Sequence, residues 1–206
     1  MGIADVFTRR SDGRPEPPTP MPPSARPSLR DQLSTLSRLG LEPVGTTTEE
    51  IAGDREVTAW ARLHPYAATM HALARGEDGE LTHHPRVTTV GLEHMVGPDS
   101  YPDLVRKLAD AAGTTGLLGE VTGAVDTQRG RWVLRFTFGG LTRQIHPLLD
   151  GARADTDVLT EIFESVAGPD QRPAQVRHGQ TISVAYVPSR HRAELQRVLD
   201  RWASPT

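Results

Sequence analysis

The sequence predicts an α+β fold: a helical N-terminal third packed with a mostly antiparallel sheet, in the order β-α-β-β-β-α-β-β-α after the first helices. Three stretches carry that expectation. In Arg131–Phe138, Trp132, Leu134, Phe136 and Phe138 alternate with Arg131, Val133, Arg135 and Thr137, so a strand would gather the large apolar groups on one face. Gly139-Gly140 supplies two residues free to take the positive φ of a tight hairpin turn. Residues 141–147 then return as a weaker strand, with Leu141, Arg143 and Ile145 opposed to Thr142, Gln144 and His146. Behind the hairpin, Val158, Leu159, Ile162, Phe163 and Val166 recur at helical spacing, a stripe suited to covering the apolar face.

In chain order, residues 1–27 hold seven of the prolines (Pro15, Pro17, Pro18, Pro20, Pro22, Pro23 and Pro27) and predict a disordered tail. Residues 28–206 then form one domain whose helical part is 28–75. Ser28 caps a first helix to about residue 39, with Leu29, Leu33 and Leu36 inward and Gly40 as its stop. A short second helix, 48–52, carries Glu49 and Glu50 near its start, where the helix dipole favours acids. A third, 55–63, turns Val57, Trp60 and Ala61 inward. His64-Pro65 breaks the run, and Pro65 suits the first turn of a fourth helix, 65–75.

A polar loop over 76–85 leads to a strand at 87–95 and a turn at 97–100. Tyr101, Leu104, Val105, Leu108 and Ala109 then mark a helix over 101–112, closed by Gly113. Residues 119–126 open the three-stranded meander that the hairpin completes. Asp155 or Thr156 caps the next helix, and Gly168-Pro169 ends it. Residues 174–177 and 181–188 read as strands about the turn at His178-Gly179. Ser189 caps a final helix, 190–203, striped by Leu195, Val198, Leu199 and Trp202.

Composition removes whole classes of function. The chain of 206 residues has a net charge of −3, so no basic field recruits nucleic acid. The absence of cysteine excludes disulfides, thiolate nucleophiles and cysteine metal sites. No apolar run approaches the roughly 20 residues of a membrane span. Arg9, Arg10, Asp12 and Arg14 interrupt any signal-peptide core, and Val6 spoils the myristoylation pattern that Met1-Gly2 opens. A cytoplasmic protein without membrane contact is the expectation.

Signatures of known chemistry are missing. Gly113-Thr114-Thr115-Gly116 lacks the spacing and the Lys-Ser/Thr of a phosphate loop, and neither GxSxG nor HExxH occurs. Of the eight histidines, His83-His84 are adjacent, His64 and His71 are seven apart across a proline, and His94 sits beside Glu93 at a strand end. That is short of the three or four convergent ligands a metal ion needs, so neither metal nor cofactor is expected. Arg129, Arg131, Arg135 and Arg143 gather on the meander, but the aromatics an RNA platform would need point inward. The acids Glu49, Glu50, Asp54 and Glu56, then Glu77, Asp78 and Glu80, offer a docking surface for a basic partner.

One further pattern spans residues 87–187. Gly91-Leu92-Glu93-His94 and Asp99-Ser100-Tyr101 place a strand ending in an acid before a turn, a tyrosine and a helix; Asp155 opens the helix after the hairpin, and Gly179-Gln180 precedes the last strand. In this order it resembles a family of uncharacterised bacterial α+β proteins with immunity-protein-like members. It departs from them in having His94 where they have cysteine and in lacking their tryptophan before the helix. The resemblance singles out Glu93, Tyr101, Asp155 and Gln180, as cross-links of strand ends and caps or as a shared polar cluster. The function expected is therefore a non-enzymatic binding protein, immunity-like, that masks a basic protein with Glu49, Glu50, Glu56 and their neighbours. The alternatives are a metal-dependent or hydrolytic enzyme using Glu93, His94 and Asp155, and a structural or accessory oligomer.

Overall fold

The computed structural model describes residues 26–74, 84–95, 97, 99–147 and 155–203, the side chain of His94 excepted, and its α+β architecture divides the strands between two sheets. The expected tail therefore lies outside the described residues except for Arg26 and Pro27, as do most of the 76–85 loop, Glu77, Asp78, Glu80 and His83.

Four helices come first: α1 (Leu29–Arg38), α2 (Thr48–Gly53), α3 (Arg55–Leu63) and α4 (Ala67–Ala74). Ser28 and Asp31 close a capping box on α1, Thr47 and Glu50 close another on α2, and Asp54 accepts from the amides of Glu56 and Val57 at the head of α3. Each such cap contributes about 1 kcal/mol by satisfying amides that the helix cannot. The fourth helix starts two residues later than Pro65 predicts. Tyr66 has φ 63°, a left-handed conformation that a bulky residue adopts at a cost of about 1 kcal/mol or more, and the helical path begins only beyond it.

What holds that turn is Gln32. Its side chain is fully buried, donates to the carbonyls of Pro27 (3.0 Å) and Ala61 (3.2 Å), and accepts from the Tyr66 amide (2.7 Å) and the Thr69 hydroxyl (2.6 Å). One amide group thus fills its four hydrogen-bonding positions from α3, α4, the turn between them and the segment before α1.

The remaining elements are β1 (Val87–Gly91), α5 (Ser100–Ala111), β2 (Leu118–Asp126), β3 (Arg131–Phe138), β4 (Leu141–Ile145), α6 (Thr156–Ser165), β5 (Gln171–His178), β6 (Thr181–Pro188) and α7 (Ser189–Trp202). A single sheet is the expectation that fails. The chain builds two antiparallel sheets of three strands, β1-β6-β5 and β2-β3-β4. Only the second is the expected meander, with Gly139 (φ 56°) and Gly140 (φ 82°) both in the positive region its turn requires. In the first, β1 crosses most of the chain to pair with β6, Val87 opposite Ala185 and Gly91 opposite Thr181.

Smaller departures have local causes. The strand expected over 87–95 stops at Gly91, because β6 begins at the opposing Thr181; Leu92–His94 is a 3₁₀ turn whose Leu92 amide donates to the Gln180 carbonyl (2.7 Å). Ser189 does not cap α7. It is the first helical residue, its amide bonded to the Asp170 carbonyl (2.9 Å), and Pro188 stands at the cap.

The β1-β6-β5 sheet separates two cores. On one side Val87, Ala174, Val176, Ala185 and Val187 pack with α1 to α4 and α7, through Leu33, Leu36, Met70, Leu73 and Leu195. On the other, Val90, Ile182, Val184 and Tyr186 meet α5, α6 and the inner face of the meander, through Leu108, Phe163, Trp132, Leu134 and Phe136. Helix α6 thus covers the apolar face for which its stripe suits it. Among the described residues no helix is long and apolar enough to cross a membrane.

Beside these cores His84 is buried, and its Nδ1 accepts the Arg86 amide at 3.1 Å, a bond that needs a neutral ring nitrogen. Burial first, and the Arg86 charge second, hold its pKa below the ordinary 6.5, against a smaller opposing contact with the Gly40 backbone. A histidine kept neutral in the fold but free to charge when unfolded contributes stability above its unfolded pKa and loses it as pH falls. The urea midpoint is therefore expected to drop between pH 7.5 and 5.5, and by less in His84→Gln. Equal drops would show that His84 is not the group responsible.

Candidate functional site

Of the acids the sequence offers, the structure separates those that build the fold from those that face outward. Glu50 is structural: its carboxylate accepts from the Thr47 amide (2.7 Å) and from the hydroxyls of Thr46 (2.9 Å) and Thr47 (3.1 Å), completing the cap of α2. Asp54 caps α3. Glu42, Glu49 and Glu56 are exposed, and among the described residues no ion pair engages any of them. Over residues 42–58 the only base is Arg55. Within this ridge Val44, preceding α2, stands 53 % exposed. Residues 42–56 thus form an acidic ridge of exposed carboxylates that also exposes one apolar residue.

Of Glu93, Tyr101, Asp155 and Gln180, the structure brings Tyr101 and Asp155 together. Tyr101 is buried at the start of α5, its ring edge-on to Trp132 with centroids 5.4 Å apart, and its hydroxyl meets the backbone of Asp155. Burial raises the phenol's pKa; the Asp155 backbone contact opposes that, and the Asp155 charge adds to it. The Asp155 carboxylate itself caps α6, accepting from the amides of Asp157 (3.1 Å) and Val158 (3.3 Å). This pair ties the start of α5 to the start of α6. Glu93 and Gln180 are both exposed at the far end of the β1-β6-β5 sheet, where the Leu92 amide meets the Gln180 carbonyl. At the sheet end that bond joins the backbones of Leu92 and Gln180, so the cross-link of the expected kind is the one between Tyr101 and Asp155.

The set Glu93, His94 and Asp155 gains nothing from this geometry. Asp155 spends its side chain on a helix cap, and the side chain of His94 lies outside the described residues. Among the described residues no group of three or more histidines and carboxylates is placed to hold a metal ion. On the meander's outer side Gln144 accepts from Arg135 (2.9 Å) and bonds the His146 ring (2.9 Å), while Trp132 and Phe136 are buried beneath.

Sequence reasoning missed a cluster of rings at the junction of the helices with the first sheet. Trp60 lies edge-on to His71 (5.0 Å between centroids) and to His178 (5.2 Å), and His178 lies edge-on to His64 at 4.0 Å. His64 ends α3, whose last carbonyls, Arg62 and Leu63, accept from the Arg26 guanidinium at 2.9 and 3.3 Å. The Nδ1 of His64 is enclosed without a hydrogen-bond partner. Helical spacing relates His64 and His71 in the sequence, but nothing local points to His178, which the β5–β6 turn delivers.

No protein-family model matches this chain, and neither does any curated protein or solved structure.

Proposed function

We propose that this protein is a non-catalytic binding protein, immunity-like in mode, that masks a basic protein partner with the ridge formed by α2 and the start of α3. The observation that carries this reading is the exposure of Glu42, Glu49 and Glu56, and of Val44, with no ion pair to these acids among the described residues. Outward charges and an exposed apolar residue on one stretch are what a protein interface uses, and the sign of the charges selects a basic surface. Glu50 supports the site by holding α2 in place and belongs to the fold more than to the contact.

The products of neighbouring genes are the partners to screen by pull-down. With a partner in hand, Glu42→Lys, Glu49→Lys and Glu56→Lys combined are expected to weaken binding by about tenfold or more, mostly through slower association, and added salt to weaken it in the wild type. Binding unchanged by the triple reversal would rule out the ridge. Glu50 is left intact so that the helix cap survives.

A second reading, an oligomeric accessory protein, is favoured by one observation. At the meander's hairpin end Leu141 is 67 % exposed and Leu117 46 % exposed, beside a half-buried Phe138. Sedimentation equilibrium tests it: self-association lost in Leu141→Lys supports it, and a monomer at all concentrations removes it.

A further inference from the structure

We propose that the ring contact between His64 and His178 is a pH-operated latch, which fastens the β5–β6 hairpin to the helical part of the protein while the His64 imidazole is neutral and lets it go when that ring is protonated. The inference is independent of the acidic ridge. It rests first on geometry: the two rings meet edge to face at 71° with centroids 4.0 Å apart, in direct contact. A proton on His64 would place a charge in that contact, where water is partly excluded.

The surroundings offer protonation no compensation. His64 Nδ1 is enclosed without a partner, so a proton placed there would be a buried donor with no acceptor. From the segment before α1, the Arg26 guanidinium faces the same ring, held there by its bonds to the Arg62 and Leu63 carbonyls. From α4, His71 reaches the cluster through Trp60, and from the hairpin, Arg177 turns its Nε to the Gly179 carbonyl (3.1 Å). Glu93 stands at the adjoining turn, joined to the hairpin through the Leu92–Gln180 backbone bond. Among the described residues no carboxylate forms an ion pair with His64 or His178. Burial, then the His178 and Arg26 charges, depress the affinity of His64 for a proton. The contact is therefore intact above about pH 6.5, and its contribution is lost as pH falls below that value.

The hairpin is the element free to respond. Its strands stay paired up to His178 opposite Thr181, β1 stops at Gly91 opposite Thr181, and only Gly179-Gln180 lie beyond the ladder, next to the His178 ring that meets Trp60 and His64. Release would loosen this turn and, through the Gln180 carbonyl, the 3₁₀ turn at Leu92–His94.

Hydrogen exchange read by mass spectrometry at pH 7.5 and 5.5, corrected for intrinsic rates, tests the proposal on the full-length chain. In the wild type, peptides covering residues 176–182 are expected to open severalfold more at pH 5.5 than at pH 7.5, while peptides from α6 change little. His64→Phe keeps a ring and removes the titrating group, and is expected to abolish the difference; His64→Gln gives the same readout should the first variant fold poorly. A hairpin whose corrected exchange is the same at both pH values overturns the latch. So does a pH response that persists in the His64 variants, or one spread evenly over every peptide.

Discussion

Phe136→Ala is expected to lower the free energy of unfolding by about 3–5 kcal/mol, the usual cost of removing a fully buried aromatic side chain and leaving its cavity. Phe136 is fully buried on the middle strand of the meander, opposite Val121 and Arg143, and belongs to the core that α5 and α6 complete. Neighbours fixed in two sheets and two helices have little room to collapse into the gap. Val133→Ala, on the outer face of the same strand and only half-buried, is expected to cost less than about 1 kcal/mol. Urea unfolding at constant m-value measures both. Similar losses at the two positions would mean that the strand does not present the faces described.

Gln32→Met is expected to cost about 3 kcal/mol, through unmet hydrogen bonds far more than through volume. The methionine fills comparable space, yet it strands the Tyr66 amide, the Thr69 hydroxyl and the Ala61 carbonyl, which all depend on the Gln32 side chain. Each buried group left without a partner costs about 1–3 kcal/mol, and water reaching one of them offsets part of that. Thr69→Val removes only one of these bonds and is expected to cost about 1 kcal/mol. If Gln32→Met costs no more than Thr69→Val, the amide is not what holds the left-handed Tyr66. Thermal unfolding of the two variants separates the cases.

The elements that were legible in the sequence are those fixed by contacts close along the chain. The alternation of Trp132, Leu134 and Phe136 gave the strand, the glycine pair its turn, and the spacing of Val158 to Val166 the helix behind it. Caps were legible for the same reason, since Ser28 and Asp155 act within three residues of themselves. The division into two sheets was not, because β1 finds its partner only after every other strand has passed. Gln32 was not, because a polar residue at an inward position reads as an interruption of the Leu29–Leu33–Leu36 stripe until its partners from α3 and α4 are in place. His178 belonged to a turn, and no periodicity links a turn to the tryptophan it touches. For the candidate site, the sequence marked the acids but could not divide Glu50 and Asp155, spent on helix ends, from Glu49 and Glu56, which are not.

Strand β6 is wetted by neither side of the molecule: Ile182, Val184 and Tyr186 serve one interior, Ala185 and Val187 the other. A ribosome delivers this dividing wall after α1 to α4 and the meander have emerged without it. Until then the inward leucines of α1 and the aromatic side of the meander stand open to chance association, which is the period when a nascent chain of this design depends most on chaperones. Once β6 seats, neither half can melt alone, and the protein is expected to unfold in one step.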